Sequence, residues 1–89
     1  MKAVLFYESG PDVMDKAPIH FPAHKARLDV FAGRGDLLAV GTWADPRDGS
    51  MAVFRTRAAA EEFVQDDPFV LNGVVARHRI QEWSEILLP

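Results

Sequence analysis

The apolar residues of this chain fall into six segments, and the order of those segments constrains the fold. Four have the short length and the β-branched or aromatic content of strands, and two repeat apolar residues at helical spacing. The order strand, helix, strand, strand, helix, strand predicts an α+β, ferredoxin-like β-α-β-β-α-β sandwich with two helices on one face of an antiparallel sheet. The predicted strands are Lys2–Glu8, Leu37–Trp43, Met51–Thr56 and Val74–Trp83, and the predicted helices run from near Pro22 to Gly33 and over Arg57–Gln65.

The connecting segments carry turn residues. Residues 10–19 form a polar stretch with two prolines, which predicts a loop, and residues 44–50 predict the longer loop of a hairpin. Residues 69–72 suggest one further turn of helix, and the tail at 84–89 is apolar enough to pack on a partner. In the last strand, alternation places Val74, Ala76, His78 and Ile80 on one face and Val75, Arg77, Arg79 and Trp83 on the other.

Composition limits the classes of function. The 89 residues suit a single domain spanning 1–89, and the absence of cysteine excludes disulfides and thiolate chemistry. A net charge of −3 argues against a nucleic-acid partner. No apolar run reaches the length of a membrane span, and the apolar start at residues 1–7 lacks a signal-peptide cleavage site, so we expect a cytoplasmic protein with no membrane partner.

The second face of the sheet predicts self-association. Apolar residues lie on both faces of the strands, as in the run from Leu37 to Val40, whereas the two helices cover only one face. A second copy of the chain covering the open face is the simplest solution, so we expect a homodimer.

His24 and Asp67 are the candidate acid–base pair. His24 shares a helix face with Leu28 and Phe31, and Asp67 continues the apolar stripe of the second helix. We expect His24 near the start of the first helix and Asp67 at the end of the second. Because the two helices run in opposite directions, those ends lie at one edge of the sheet. A carboxylate beside an imidazole fixes one tautomer and stabilises the protonated ring, as a general base requires.

Each candidate also has an ordinary structural explanation. His24 is equally explained as a half-buried histidine with its hydrogen bonds satisfied, and Asp67 as a turn residue before Pro68. A metal pair of His20 and His24 would need a regular helix through Pro22, which we do not expect, so no metal site and no cofactor are predicted.

Three further residues are candidates for substrate binding. Arg27 follows His24 by about one helical turn and suits a substrate carboxylate, although a solvated surface arginine is the alternative. Trp43 and Phe69 are candidates for lining the pocket, although aromatic residues near the end of a sheet are more often part of the core. His78 suits the core or an interface better than a ligand site.

The ordered motifs resemble the YciI-like (YCII-related) domain family over nearly the whole chain. The resemblance is carried by a Pro-x-His-x-x-Arg-Leu stretch at 22–28, a Gly-x-Leu-Leu-x-x-Gly strand at 35–41 and an Asp-Pro-aromatic stretch at 67–69 followed by Gly73-Val74. It implies a ferredoxin-like fold that dimerises into an α/β barrel, with His24 and Asp67 as the catalytic pair. Some relatives in this family are dehydrochlorinases of chlorinated aromatic compounds.

Two hypotheses of function follow. The first is a small dimeric enzyme in which His24 and Asp67 perform a lyase or isomerase-type proton transfer on a small organic substrate that carries a carboxylate for Arg27. The second is a non-catalytic module that binds a small metabolite or serves only for dimerisation.

Overall fold

The computed structural model describes residues 1–89 and has the predicted order of elements, including the expected short turn of helix before the last strand. A 3₁₀ turn at Pro46–Asp48 lies within the hairpin loop. The elements are β1 (Lys2–Ser9), α1 (Val13–Gly33), β2 (Leu37–Thr42), β3 (Ser50–Phe54), α2 (Arg57–Gln65), α3 (Pro68–Leu71) and β4 (Val75–Trp83).

The four strands form one antiparallel sheet in the order β2-β3-β1-β4, so β1 and β3 are central as the ferredoxin-like topology requires. Leu5 of β1 lies opposite Ala52 of β3 and Ile80 of β4. These residues share the face on which α1 and α2 pack. The core between the layers contains Phe31 and Phe63 from the helices, whose rings meet edge to face at 5.2 Å.

The first helix begins much earlier than its sequence predicts. α1 starts at Val13 and contains Pro18 and Pro22, so the predicted loop at residues 10–19 is wrong. Each proline removes the N–H that would bond the carbonyl four residues before it. The two prolines lie four residues apart on the same side of α1 and both are exposed, so solvent can supply the missing partners. His24 consequently lies in the middle of the helix, not at its start.

A β-bulge changes the predicted faces of β4. Glu8 pairs with Arg77, but the next residue of β1, Ser9, pairs with Val75, which leaves Ala76 as the extra residue. Val75 therefore lies on the helix-covered face, and the assignment of Val75 from simple alternation is wrong. Arg77, Arg79 and Trp83 share one face, as predicted, and the structure shows that this is the open face.

None of the three helices combines the length and the apolar character needed to cross a bilayer.

Candidate active site

His24 and Asp67 meet in the structure. The Nδ1 atom of His24 lies 2.7 Å from the Oδ1 atom of Asp67, across 43 positions of sequence. Both residues are buried, with 7 % of His24 and none of Asp67 exposed. α1 and α2 run in opposite directions over the sheet. The middle of α1, which carries His24, therefore lies beside the segment after α2, which carries Asp67.

The local sequence holds Asp67 in place. Pro68 disfavours helical backbone at the residue before it, and Asp67 has the extended φ and ψ of −68° and 121°. Asp67 is therefore the N-cap of α3 and accepts a hydrogen bond from the backbone N–H of Phe69 at 3.1 Å. The sequence placed this carboxylate at the C-terminus of the second helix, where the helix dipole disfavours it. In the structure Asp67 still follows α2, but the backbone N–H of Phe69 donates to the carboxylate and partly compensates its charge.

Tyr7 completes the site and is not among the residues singled out from sequence. Its hydroxyl donates a hydrogen bond to the Oδ2 atom of Asp67 at 2.5 Å. The signal was available in the alternation of β1, because Ala3, Leu5 and Tyr7 share the face beneath the helices. Burial, and then the charge of Asp67, raise the pKa of Tyr7 far above its usual value, so the phenol stays protonated and remains a donor.

The hydrogen bonds around Asp67 assign the tautomer of His24. The hydroxyl of Tyr7 and the N–H of Phe69 both donate to the carboxylate, which leaves Asp67 to act as an acceptor toward His24 as well. The proton of a neutral His24 ring therefore resides on Nδ1. No buried side-chain nitrogen or oxygen lacks a partner. Nε2 of His24 makes no hydrogen bond, so this atom is not fully buried and is free to meet a ligand.

Aromatic side chains fix the plane of the imidazole. Phe69 stacks on His24 with ring centroids 3.8 Å apart and planes within 1° of parallel. The ring of Phe63 is turned edge-on to the imidazole, with the two ring centroids 6.2 Å apart. A ring held by stacking and by a hydrogen bond at Nδ1 has little freedom to rotate. The site is therefore rigid around Nε2.

His24 and Phe69 line a cleft of about 530 Å³ between α1, the β2–β3 hairpin and the start of β4. Its wall is mostly apolar, with Phe21, Val40 and Val74 among the contributors. The few polar side chains include Ser50 and Lys25, and the amine of Lys25 also pairs with Asp29 at 2.6 Å. A cleft of this size and character suits a small, largely apolar molecule.

Two predicted substrate-binding residues lie elsewhere. The guanidinium of Arg27 donates to backbone carbonyls of α2, and Arg27 is not part of the cleft wall. Trp43 follows β2, is 44 % exposed and also lies outside the wall. Their roles in substrate binding stay predictions, whereas Phe69 does lie against both the cleft and the imidazole.

The other histidines lie apart from the pair. His20 is on α1 one turn before His24, because the helix does continue through Pro22, contrary to the sequence-based expectation. His78 is exposed on β4. No three histidine, cysteine, aspartate or glutamate side chains cluster as a metal site would require.

Comparison with known proteins agrees with this fold. The family model of the YCII-related domain matches residues 1–84. Among solved structures, the chain is similar to 5-chloro-2-hydroxyhydroquinone dehydrochlorinase from Burkholderia phenoliruptrix in complex with 2,5-dihydroxybenzoquinone. The TM-score is 0.74 at 21 % identity, over 94 % of each chain. No curated protein sequence gives a significant match. Since the family model spans almost the entire sequence, the chain belongs to the YCII-related domain family.

Proposed function

We propose that this protein is an enzyme that transfers a proton on a small organic substrate, with His24 as the general base or acid. The observation that supports this function best is the buried pair of His24 and Asp67, in which Nδ1 is held by the carboxylate, Nε2 makes no hydrogen bond, and His24 lines the cleft. A lyase or an isomerase would both use such a group.

The chemistry needs the transfer of a proton to or from His24 and the movement of an electron pair within the substrate. Nε2 of His24 takes a proton from a hydroxyl or an acidic carbon of the substrate. The electron pair left behind either expels a leaving group, as in a lyase, or shifts along the substrate so that the imidazolium returns the proton at a second atom, as in an isomerase. Asp67 stabilises the imidazolium that forms, and its own orientation is held by Tyr7 and by the N–H of Phe69.

The structural neighbour suggests a substrate class. Its substrate is a chlorinated, hydroxylated aromatic ring, and loss of HCl from such a ring gives one proton to the base and one chloride to solvent, with no external oxidant or reductant. The apolar wall of the cleft and the hydroxyl of Ser50 are compatible with a polyhydroxylated ring. A substrate carboxylate bound by Arg27 is the competing possibility.

We further propose that the protein is a homodimer. Both α1 and α2 pack on one face of the sheet, and the other face presents Phe6, Met51 and Trp83 around a shallow hollow of about 220 Å³. A second copy would bury this apolar surface.

The function is tested with 5-chloro-2-hydroxyhydroquinone by measuring release of chloride. We expect His24→Gln to lower kcat by about 10²–10⁴-fold, the range of a general base. His78→Gln is the matched control, since it changes an exposed histidine outside the cleft, and we expect unchanged kcat. Circular dichroism checks that both variants fold. Unchanged turnover in His24→Gln would contradict the proposal.

The non-catalytic alternative gives a different result. A binding module would bind 2,5-dihydroxybenzoquinone, or a co-purifying ligand identified by mass spectrometry, and would release no chloride from 5-chloro-2-hydroxyhydroquinone with or without His24→Gln. Calorimetry measures this binding, and the release of chloride separates the alternatives.

A further inference from the structure

Arg27 joins the two helices that carry the site. Its Nε atom donates to the carbonyl of Phe63 at 3.0 Å and its Nη2 atom donates to the carbonyl of Glu62 at 2.8 Å. Both carbonyls belong to the last turn of α2, where a helix runs out of its own N–H donors. One guanidinium from α1 therefore supplies two hydrogen bonds to the end of α2.

The charge of Arg27 matches the field at that helix end. The C-terminus of a helix carries partial negative charge, and basic residues in the last turn normally compensate for it. α2 has no basic residue in its last turn, and Asp66 and Asp67 follow directly. Arg27 supplies the missing positive charge from the neighbouring helix.

The packing of Arg27 leaves it poorly placed for a ligand. Its Cζ atom lies 4.9 Å from the ring centre of Phe31 and 5.5 Å from that of Phe63, both of which are core residues. A substrate carboxylate would have to displace the bonds to the carbonyls of α2, and the side chain lies outside the cleft wall.

We propose that Arg27 is a positioning residue, which fixes the last turn of α2 against α1 and so holds Asp67 at hydrogen-bond distance from His24. Arg27 is three residues from His24 along α1, and Phe63 is four residues from Asp67. The bonds of the guanidinium therefore set the register in which the two halves of the pair meet. Any consequence of this role for catalysis rests on the proposed function, whereas the role of Arg27 in holding Asp67 beside His24 does not.

A second observation places the charge of Arg27 within reach of the site. Burial and Asp67 raise the pKa of Tyr7, and the positive charge of Arg27 acts in the opposite direction. The electrostatic influence of Arg27 therefore extends to the hydroxyl that orients Asp67.

The test compares Arg27→Gln with Arg34→Gln. Arg34 is a close control, because its guanidinium also lies on Phe31, at 4.3 Å, and pairs with the side chain of Glu62, but it bonds no backbone carbonyl of α2. Proton NMR with ¹⁵N-labelled histidine measures exchange of the Nδ1–H of His24 with water, and His24→Gln assigns the signal. Calorimetry measures the affinity for 2,5-dihydroxybenzoquinone.

We expect Arg27→Gln to accelerate exchange of this imidazole proton by at least about tenfold, because the pair opens more easily. Affinity for the quinone should change by less than about threefold, since no contact to the ligand is removed. Arg34→Gln should leave both quantities unchanged. Arg27→Lys keeps the positive charge and a hydrogen-bond donor, so the His24 proton should exchange more slowly than in Arg27→Gln. If Arg27→Gln does not fold, Arg27→Lys takes its place in the comparison.

If exchange of the His24 proton is unchanged in Arg27→Gln, the proposal is wrong. If, in addition, that variant binds the quinone more weakly, Arg27 contacts the ligand and serves as a substrate anchor. If the wild-type protein binds no quinone, the proposed substrate class fails, while the exchange measurement still decides the role of Arg27.

Discussion

At the scale of single residues, Tyr7 offers a spectroscopic test of the site. It is the only tyrosine in the chain, so the absorbance of tyrosinate reports on this residue alone. Because burial and Asp67 raise its pKa in the folded chain, the folded state keeps a proton that the unfolded state releases near the ordinary value of 10.0. The stabilisation is complete below that pH and is lost above it, with a slope of about 1.4 kcal/mol per pH unit. We expect tyrosinate to form only as the chain unfolds in alkali.

The measurement is an alkaline titration followed by tyrosinate absorbance and far-ultraviolet circular dichroism. Coincident transitions agree with the buried phenol. In Tyr7→Phe the contribution of this group to the alkaline loss of stability should disappear. A tyrosine that ionises near its ordinary pKa while the fold persists would contradict the geometry.

Tyr7→Phe should also destabilise the protein at neutral pH. The substitution leaves the Oδ2 atom of the fully buried Asp67 without its donor, and a buried unsatisfied acceptor costs about 1–3 kcal/mol. Ser9→Ala is the matched control, because it removes a hydroxyl that donates to the exposed carbonyl of Pro46, and it should cost less than about 0.5 kcal/mol. Urea unfolding measures the free energy of unfolding of both variants. Equal decreases would show that the buried hydrogen bond to Asp67 stabilises the fold no more than the exposed one.

The contact of His24 with Asp67 could be predicted from helical phase and strand order, but the structure corrects where the two residues lie: His24 is in the middle of α1, and Asp67 caps α3. His24 falls on the stripe with Leu28 and Phe31, and that stripe is buried as the spacing indicates. The partner of Asp67 on β1 was missed because Tyr7 in a continuous apolar strand has the pattern of any core residue. The orientation of Arg27 toward α2 depends on distances between helices, which no local pattern contains.

At the scale of elements, Gly49 joins the hairpin to the strand that carries Tyr7. Its φ is +105°, a region that disfavours residues with a side chain, and an added Cβ would lie 1.9 Å from the carbonyl oxygen of Tyr7. We expect Gly49→Ala to destabilise the fold by at least about 1–3 kcal/mol, the cost of such backbone strain alone. Gly41→Ala, on β2 and also in the cleft wall, has open space around the added methyl group and should cost less than about 1 kcal/mol.

Thermal unfolding of the two glycine variants gives the comparison. An equal decrease in midpoint for both would mean that the hairpin can move away from β1 without loss.

Helices and strands were predicted correctly where the periodicity of apolar residues determines them. They were missed where a residue that normally ends a helix is tolerated because it faces solvent. The strands and α2 have bounds within two residues of those expected. The first half of α1 was missed because Pro18 and Pro22 normally end a helix, whereas here both lie on its exposed side. The bulge at Ala76 leaves no distinctive residue type in the sequence, so the faces of β4 could not be assigned by alternation alone.

At the scale of the whole molecule, the homodimer is the proposal with the clearest physical readout. Phe6 lies at the centre of the open face, opposite Met51 of β3 and Arg79 of β4. The guanidinium of Arg79 lies 3.9 Å from its ring centre. Phe6→Glu places a carboxylate in this face, where Arg79 can still pair with it in a monomer. In a dimer this carboxylate and Arg79 would have to lose their water between the two sheets, and the desolvation cost is large, so we expect the variant to fold and to remain monomeric.

Light scattering after size exclusion measures the effect. We expect the wild-type protein to have twice the mass of the chain and Phe6→Glu to have the mass of one chain, with unchanged circular dichroism. Ile19→Lys is the control, because Ile19 is 70 % exposed on α1, away from the open sheet face, and the dimer should survive its substitution. A wild-type protein that stays monomeric at high concentration would leave the apolar sheet face exposed to solvent and would contradict the dimer. A Phe6→Glu dimer as stable as the wild type would place the interface elsewhere on the molecule.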